Sequence, residues 1–248
     1  MRLLLLSALS MVLANSAHAD PRNIVAGDER DPRLPLPVGV GVNVYTQNQG
    51  YDLSSLRVNV LPGDLAALEG IGIDNDVSEV NIKLDYWMLP FLNVFGILGN
   101  VDGETDVDTD LIPGLSVEYD GVVYGGGVTL AGGWDRYFMA LTAALTETDL
   151  DTSTSSVKAW IVSPKLGMTC RYGAFWIGGM LQQTDERHEG SIVVPVFGSV
   201  DYKVEFEQKE AWNTSVGVAT GIGRNWLFDL ELGFGDRTHA SLSATYRF

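Results

Sequence analysis

The sequence predicts an all-β protein, a transmembrane antiparallel up-and-down β-barrel of about ten strands, within a range of about eight to twelve. Three observations predict it. The final stretch, Thr238 to Phe248, places Phe248, Tyr246, Ala244, Leu242 and Ala240 on one face and Arg247, Thr245, Ser243, Ser241 and His239 on the other. Side chains of a strand alternate with period two, so this split suits a strand between lipid and a wet lumen. After residue 19 no apolar run reaches the ~20 residues that a membrane helix needs. A chain that enters a membrane without such a run must pair its backbone in a closed barrel. Tight connections also alternate with long ones along the chain, as short turns and long loops do at the two rims of such a barrel.

Taken in order, Met1 to Ala19 reads as a secretory signal, with Arg2 at its start, an apolar run from Leu3 to Leu13 and a small-x-small site at Ala17-His18-Ala19. Its removal would shift the net charge from −16 to −17, because Arg2 is the one charged residue it carries. Residues 20–37 are polar and proline-bearing and read as a periplasmic leader; 38–248 read as the barrel. The single cysteine, Cys170, excludes an intramolecular disulfide, and the acidic total argues against nucleic acid as a partner.

The first strand is expected at Val38 to Gln47, where valines alternate with Gly39, Gly41 and Asn43. Asn48 to Val77 reads as a loop, with possible extra β structure at Leu56 to Val60. From Ser78 to Met88 the alternation is sharp, with Val80, Ile82, Leu84, Tyr86 and Met88 opposite Glu79, Asn81, Lys83, Asp85 and Trp87. Further strands are expected at Phe91 to Val101, Gly121 to Ala131, Arg136 to Thr146, Ser156 to Cys170 and Ala174 to Thr184. Ala211 to Gly223, Trp226 to Phe234 and Thr238 to Phe248 complete the set, with Ile192 to Phe206 a possible further pairing. Pro164 predicts a bulge, since proline cannot donate to the ladder.

The acids collect in the long connections. Residues 49–77, 102–120, 147–151 and 185–210 hold 22 of the 32 Asp and Glu, whereas Arg171 and Arg224 lie in short turns. Acidic loops facing outward and short turns facing the periplasm follow. The tryptophans fall at strand ends, with Trp87, Trp134, Trp176 and Trp226 near short turns and Trp160 and Trp212 near long loops, which predicts two interfacial girdles.

A final strand that ends in Phe248, with Tyr246 two positions earlier, resembles the assembly signature of Gram-negative outer-membrane β-barrels. The resemblance implies residence in the cell outer membrane, contact with its lipids and lipopolysaccharide, and delivery by the barrel-assembly machinery. Tyr86 to Gly96 and Trp226 to Phe248 also resemble a group of uncharacterised proteobacterial outer-membrane barrels, similar members of which are grouped with exporters of aromatic-degradation operons.

Three sets of residues are candidates for chemistry. Lys83, Asp85, Arg136, Asp229, Glu231 and Arg247 fall on inward positions, with Arg247 in reach of Asp229 or Glu231. They form either an ion-pair network that fills a narrow barrel or a charged constriction that selects solutes. Glu104, Asp106, Asp108 and Asp110, with Asp102 before them, occupy alternate positions and would project from one face of an extended chain. That ladder is either a solvated acidic loop or a loose site for Ca²⁺ or Mg²⁺, which take oxygen ligands. It is not an EF-hand, because Leu111 and Val117 stand where the glycine and glutamate are due. No other cofactor is expected.

The pair His239 and Ser241 resembles the His-x-Ser of outer-membrane lipid A deacylases, but Leu242 follows it and it faces the lumen. The omptin-type Asp and His pair lie two residues apart, whereas Asp236 and His239, like Asp185 and His188, are three apart. No catalytic residue is assigned. The readings carried forward are a narrow channel or transporter for small solutes and a non-conducting structural or surface-interaction barrel. A membrane-embedded hydrolase is the third.

Overall fold

The computed structural model describes residues 36–58, 72–108, 115–150, 156–194, 198–208 and 211–248. The expected signal, residues 20–35 of the leader and Asp110 lie outside the described residues. Among the described residues eleven strands occur in this order: β1 (Val38–Val58), β2 (Gly72–Leu89), β3 (Leu92–Asp108), β4 (Leu115–Trp134), β5 (Tyr137–Leu150) and β6 (Ser156–Cys170). They continue as β7 (Gly173–Val194), β8 (Gly198–Gln208), β9 (Trp212–Ile222), β10 (Trp226–Phe234) and β11 (Arg237–Arg247). All pairings are antiparallel, and no helix occurs among the described residues.

Ten of these strands close a barrel. Each pairs with its neighbour in sequence, except that β7 pairs with β9, and β11 returns to β1. Backbone bonds from Phe248 N to Val38 O (3.1 Å) and from Val38 N to Phe248 O (3.3 Å) extend that seam to the rim. The eleventh strand, β8, pairs with the upper part of β7 and with Tyr51 to Val58 of β1. Above the turn that joins β10 to β11 the wall is therefore closed through β1 to β8, and the barrel steps from ten strands to eight.

Side-chain parity matches the sequence. Val80, Ile82, Leu84, Tyr86 and Met88 are exposed on the outer face of β2, while Glu79, Asn81, Lys83, Asp85 and Trp87 are buried inside. The same alternation holds in β11. The outward apolar stripe of β2 spans about the 9–11 residues that a tilted membrane strand needs.

Strand length is where the structure departs from expectation. β1 has 21 residues, β7 has 22, and residues expected as loops in 48–77, 102–120 and 185–210 extend strands or form β8. Beyond the lipid the outward face of β2 and β3 turns acidic while Ile73, Val77 and Val101 stay buried inside, so the outward apolar stripe ends although the ladder continues. Pro164 also makes no bulge. The pairings Val162↔Leu181 and Lys165↔Gly178 keep one register across it, and Ser163 Oγ donates to Gly179 O at 2.8 Å in the gap where proline has no N–H.

The girdle expectation is corrected as well. Trp134, Trp226, Trp160 and Trp212 face outward, but Trp87 and Trp176 are only 5% and 3% exposed and point into the lumen. Their parity, not their nearness to a turn, decides this. At the short-turn rim Trp226 packs on Phe228 and Tyr246, and Tyr246 on Phe248. Gly173 (φ +151°) lies where any Cβ would strike Ala219 O of β9, so this rim turn requires glycine.

The interior is filled, and it is two-sided. Apolar clusters line β3 to β7 around Phe95, Ile97, Val123, Ile161 and Met180, and around Ala131, Phe138 and Trp176. Among the described residues, every buried charged or histidine side chain except Lys165 lies on β2, β10 or β11.

Candidate functional site: the charged side of the lumen

The charged column begins at the short-turn rim. Arg247, Gly39 and Asp85 are register partners across β11, β1 and β2. Because Gly39 has no side chain, Arg247 reaches over β1, and its Nη2 donates to Asp85 Oδ1 at 2.6 Å. A Cβ at position 39 would collide with the Asp85 carboxylate. Asn93 Nδ2 donates to the same Oδ1 at 2.7 Å, and Arg247 Nη1 donates to Leu36 O at 2.9 Å. One step inward Gly41 separates Lys83 from Thr245 in the same way. Lys83 Nζ lies 5.0 Å from the centre of the Phe95 ring, and Ser243 Oγ donates to Asp229.

Glu231 is the hub of the next layer. Lys165 Nζ of β6 lies 2.5 Å from Glu231 Oε2, and Trp176 Nε1 of β7 donates to that oxygen at 2.7 Å. The ammonium also sits 4.3 Å from the Trp176 ring centre, which adds a cation–π contact. His239 Nε2 is 3.6 Å from Glu231 Oε1. Asn213 Nδ2 donates to His239 Nδ1 at 2.8 Å, which assigns the ring proton to Nε2, facing the carboxylate. Tyr45 stacks on the imidazole at 5.5 Å.

Above this layer Arg237 Nη2 donates to Asn213 Oδ1 (3.1 Å) and Met180 O (3.2 Å), close to where β8 gives way to β9. Glu79, held by Asn81 Nδ2 at 2.8 Å, and the chain Tyr45–Gln47–Gln49 continue upward. Among the described residues buried acids and bases balance: Lys83, Lys165, Arg237 and Arg247 against Glu79, Asp85, Asp229 and Glu231. All eight are nearly or fully buried, so the side chains themselves fill this part of the lumen.

Of the six residues expected in the network, the structure brings five into the lumen: Lys83, Asp85, Asp229, Glu231 and Arg247. Arg136 is not among them. It belongs to the two-residue turn before β5, its side chain is 60% exposed, and it lies 3.8 Å from Asp135 and over Tyr137. A turn residue is not bound by strand parity. The pairing of Arg247 with Asp229 or Glu231 is also corrected, because Asp85 holds the guanidinium across Gly39.

Lys165, Trp176, Arg237 and the link from His239 to Glu231 were missed. Unbroken parity through Val157, Ala159, Ile161 and Ser163 points Lys165 inward, and only the expected bulge at Pro164 hid that signal.

His239 and Ser241 share the lumen face but do not bond to each other: Ser241 Oγ donates to Asn43 Oδ1 at 3.2 Å. Asp236 is exposed at the turn between β10 and β11. Asp185 and His188 lie on β7, with side chains outside the described set. Tyr246 and Phe248 lie at the outer seam, exposed, as their parity requires.

Glu104 and Asp106 are exposed on the outer face of β3; Asp108 ends that strand, its side chain outside the described set. Among the described residues no three His, Cys, Asp or Glu side chains converge on a point that a metal ion would occupy.

A closed antiparallel barrel with an outward apolar belt and aromatic rim is an integral protein of the cell outer membrane. No family model and no curated protein matches the chain. Among solved structures it is similar to an outer membrane channel from Pseudomonas putida F1, at 12% identity and TM-score 0.42 over 93% of this chain and 100% of that one. It is similar to the beta domain of the Bordetella autotransporter BrkA, at 16% identity and TM-score 0.42 over 84% and 99%. The transport unit of the autotransporter AIDA-I from Escherichia coli is similar at 12% identity and TM-score 0.41 over 96% of each chain.

Proposed function

We propose that this barrel is a narrow outer-membrane channel for small polar solutes, closed at rest by its own ion pairs. The observation that carries the reading is the column of buried charge from Arg247 to Arg237, facing a wall of apolar clusters and neutral hydroxyl and amide groups on which Lys165 is the one buried charge among the described residues. A buried ion pair adds little stability over apolar groups of the same volume, so balanced charge along one wall is better suited to a path than to a filler. Barrels of about eight strands are filled by their own side chains, and a wide aqueous pore takes roughly 16 to 18. Ten strands permit only a thin, interrupted path.

The test is conductance in a planar bilayer. Wild type is expected to show little or no steady current, and Arg247→Ala a larger, cation-selective one, because the variant leaves Asp85 without its base. A large wild-type conductance that ignores the substitution overturns the closed column. Silence in both, with the barrel folded, favours a non-conducting barrel.

That second reading rests on a different observation, the row of acids on the outer wall. In it the barrel meets lipopolysaccharide or a surface partner through acidic extensions, with Glu104, Asp106, Asp108 and Asp110 taking Ca²⁺ or Mg²⁺ loosely. In either reading the short-turn rim faces the periplasm, and Tyr246 and Phe248 serve recognition by the assembly machinery.

A further inference from the structure

The outer wall carries a hollow of about 930 Å³ crossing six strands, and its lining is graded. Leu232, Ala240, Thr46, Ser78, Asp102 and Asp120 are successive register partners from β10 through β11, β1, β2 and β3 to β4. One step toward the long-strand rim, Thr238, Asn48, Asp76, Glu104 and Glu118 form a second such row, with Phe234 at its apolar end. Strands lie about 4.8 Å apart, so the trough runs about 24 Å. It begins apolar, passes through hydroxyl and amide groups, and ends in five carboxylates.

Parity places these carboxylates outside, on the same strands whose inner faces are packed. Among the described residues none of the five is in an ion pair; Asp76 accepts from Asn48 Nδ2 (3.1 Å) and Glu104 from Ser116 Oγ (2.6 Å). Glu104 stands directly opposite both Asp76 and Glu118, and Asp102 opposite Asp120. Like charges in directly opposed positions repel, so this end of the trough attracts positive charge. The other end opens onto lipid, because Leu230 and Leu242, one row below Leu232 and Ala240, belong to the outward apolar belt. On β2 the boundary falls between Val80 and Ser78.

We infer that this trough docks a membrane-borne cationic amphiphile, its apolar part against Leu232, Phe234 and Ala240 and its cationic head among Asp76, Asp102 and Glu104. Charge complementarity and continuity with the lipid-facing belt select that occupant. The volume lies within the range of small-molecule sites, about 300–1,000 Å³. The inference does not depend on conduction through the lumen.

The experiment uses the full barrel in phosphatidylcholine nanodiscs and electron paramagnetic resonance of chain-nitroxide amphiphiles of equal length with ammonium, uncharged or phosphate heads. The ammonium probe is expected to give a saturable immobilised component, favoured over the phosphate probe by about tenfold, the order for a charge at an opposed charged surface. In Asp102→Asn/Glu104→Gln/Glu118→Gln the preference should fall to within about twofold. Leu232→Ser/Phe234→Ser should weaken ammonium binding while keeping the order of heads. All five positions face outward, and heat-modifiable gel mobility verifies the fold of each variant. Equal affinity for the heads in wild type, or a preference that survives the triple variant, overturns the proposal. So does a soluble oligolysine that competes as well as the amphiphile, or Mg²⁺ binding without any head preference, since either reduces the trough to bare charge.

Discussion

Asp85 and Asp76 lie on one strand, nine residues apart, and have opposite fates. Asp85 is buried in the lumen, with Arg247 and Asn93 both donating to one of its oxygens. Asp76 is exposed on the outer wall, opposite Glu104 and bonded to Asn48. The strand is continuous between them, so the difference is one of parity. A carboxylate with odd parity on β2 enters a low-dielectric interior and must meet a base or a donor, because an unpaired buried charge is costly. With even parity it meets water or headgroups, where the neighbouring acid is tolerable. In the lumen a carboxylate therefore requires its partners, whereas on this outer stretch of β2 a neutral amide and an opposing acid suffice.

The comparison is broken most severely inside. Arg247→Ala or Asp85→Ala leaves a buried charge unpaired and is expected to cost about 3–5 kcal/mol, read as a loss of urea resistance of the folded band on cold gels. Replacing both at once with apolar residues of similar size should recover most of that loss. If the double variant is no better than either single one, the pair is not the unit that matters.

A smaller break separates hydrogen bonding from packing. Trp176→Phe keeps most of the ring against Lys165 and removes the Nε1 donor to Glu231. A hydrogen bond to a charged group is worth about 1.5–3 kcal/mol, and the urea midpoint should fall accordingly. An unchanged midpoint would mean that Lys165 and His239 satisfy Glu231 without it.

Outside, the same chemistry should barely register. Glu104→Gln is expected to shift the unfolding temperature by no more than about 2 °C, and upward at low salt, because it relieves repulsion across β2, β3 and β4. The gain should vanish near 1 M salt, where the Debye length is about 3 Å. A large loss of stability would show that Glu104 has a structural partner. Smallest of all are the calorimetric heats expected for Ca²⁺ or Mg²⁺ at the acidic ladder, weak in wild type and lost in Asp106→Asn/Asp108→Asn. Equal heats for the two proteins leave a solvated face.

Much of the barrel was legible in the residues. The alternation in Ser78 to Met88 and in Thr238 to Phe248 assigned inner and outer faces that the structure keeps. The extensions of β1, β3 and β7 and the existence of β8 were harder to read, because acids beyond the lipid end the outward apolar stripe while leaving backbone pairing intact. The alternating acids at Asp102, Glu104 and Asp106 were themselves a period-two signal of a strand. Gly39 and Gly41, inward and small, signalled room for large neighbours, but not which ones.

What the sequence by itself determined was the face each residue takes, since alternation is a local property of an extended chain and needs no partner. Which charge meets which was decided by the tertiary structure. Trp176 and Glu231 are 55 residues apart, and Lys165, Trp176 and Glu231 come from β6, β7 and β10. Trp176 reaches Glu231 over Gly217, the residue of β9 that is register partner to both, and Lys165 reaches it from β6, so the three meet only once β7 has paired with β9 past β8. Arg247 and Asp85, 162 apart, likewise meet only once β11 has paired with β1 and the register has set Gly39 between them. Register and closure are global properties of the sheet, so no window of sequence contains them.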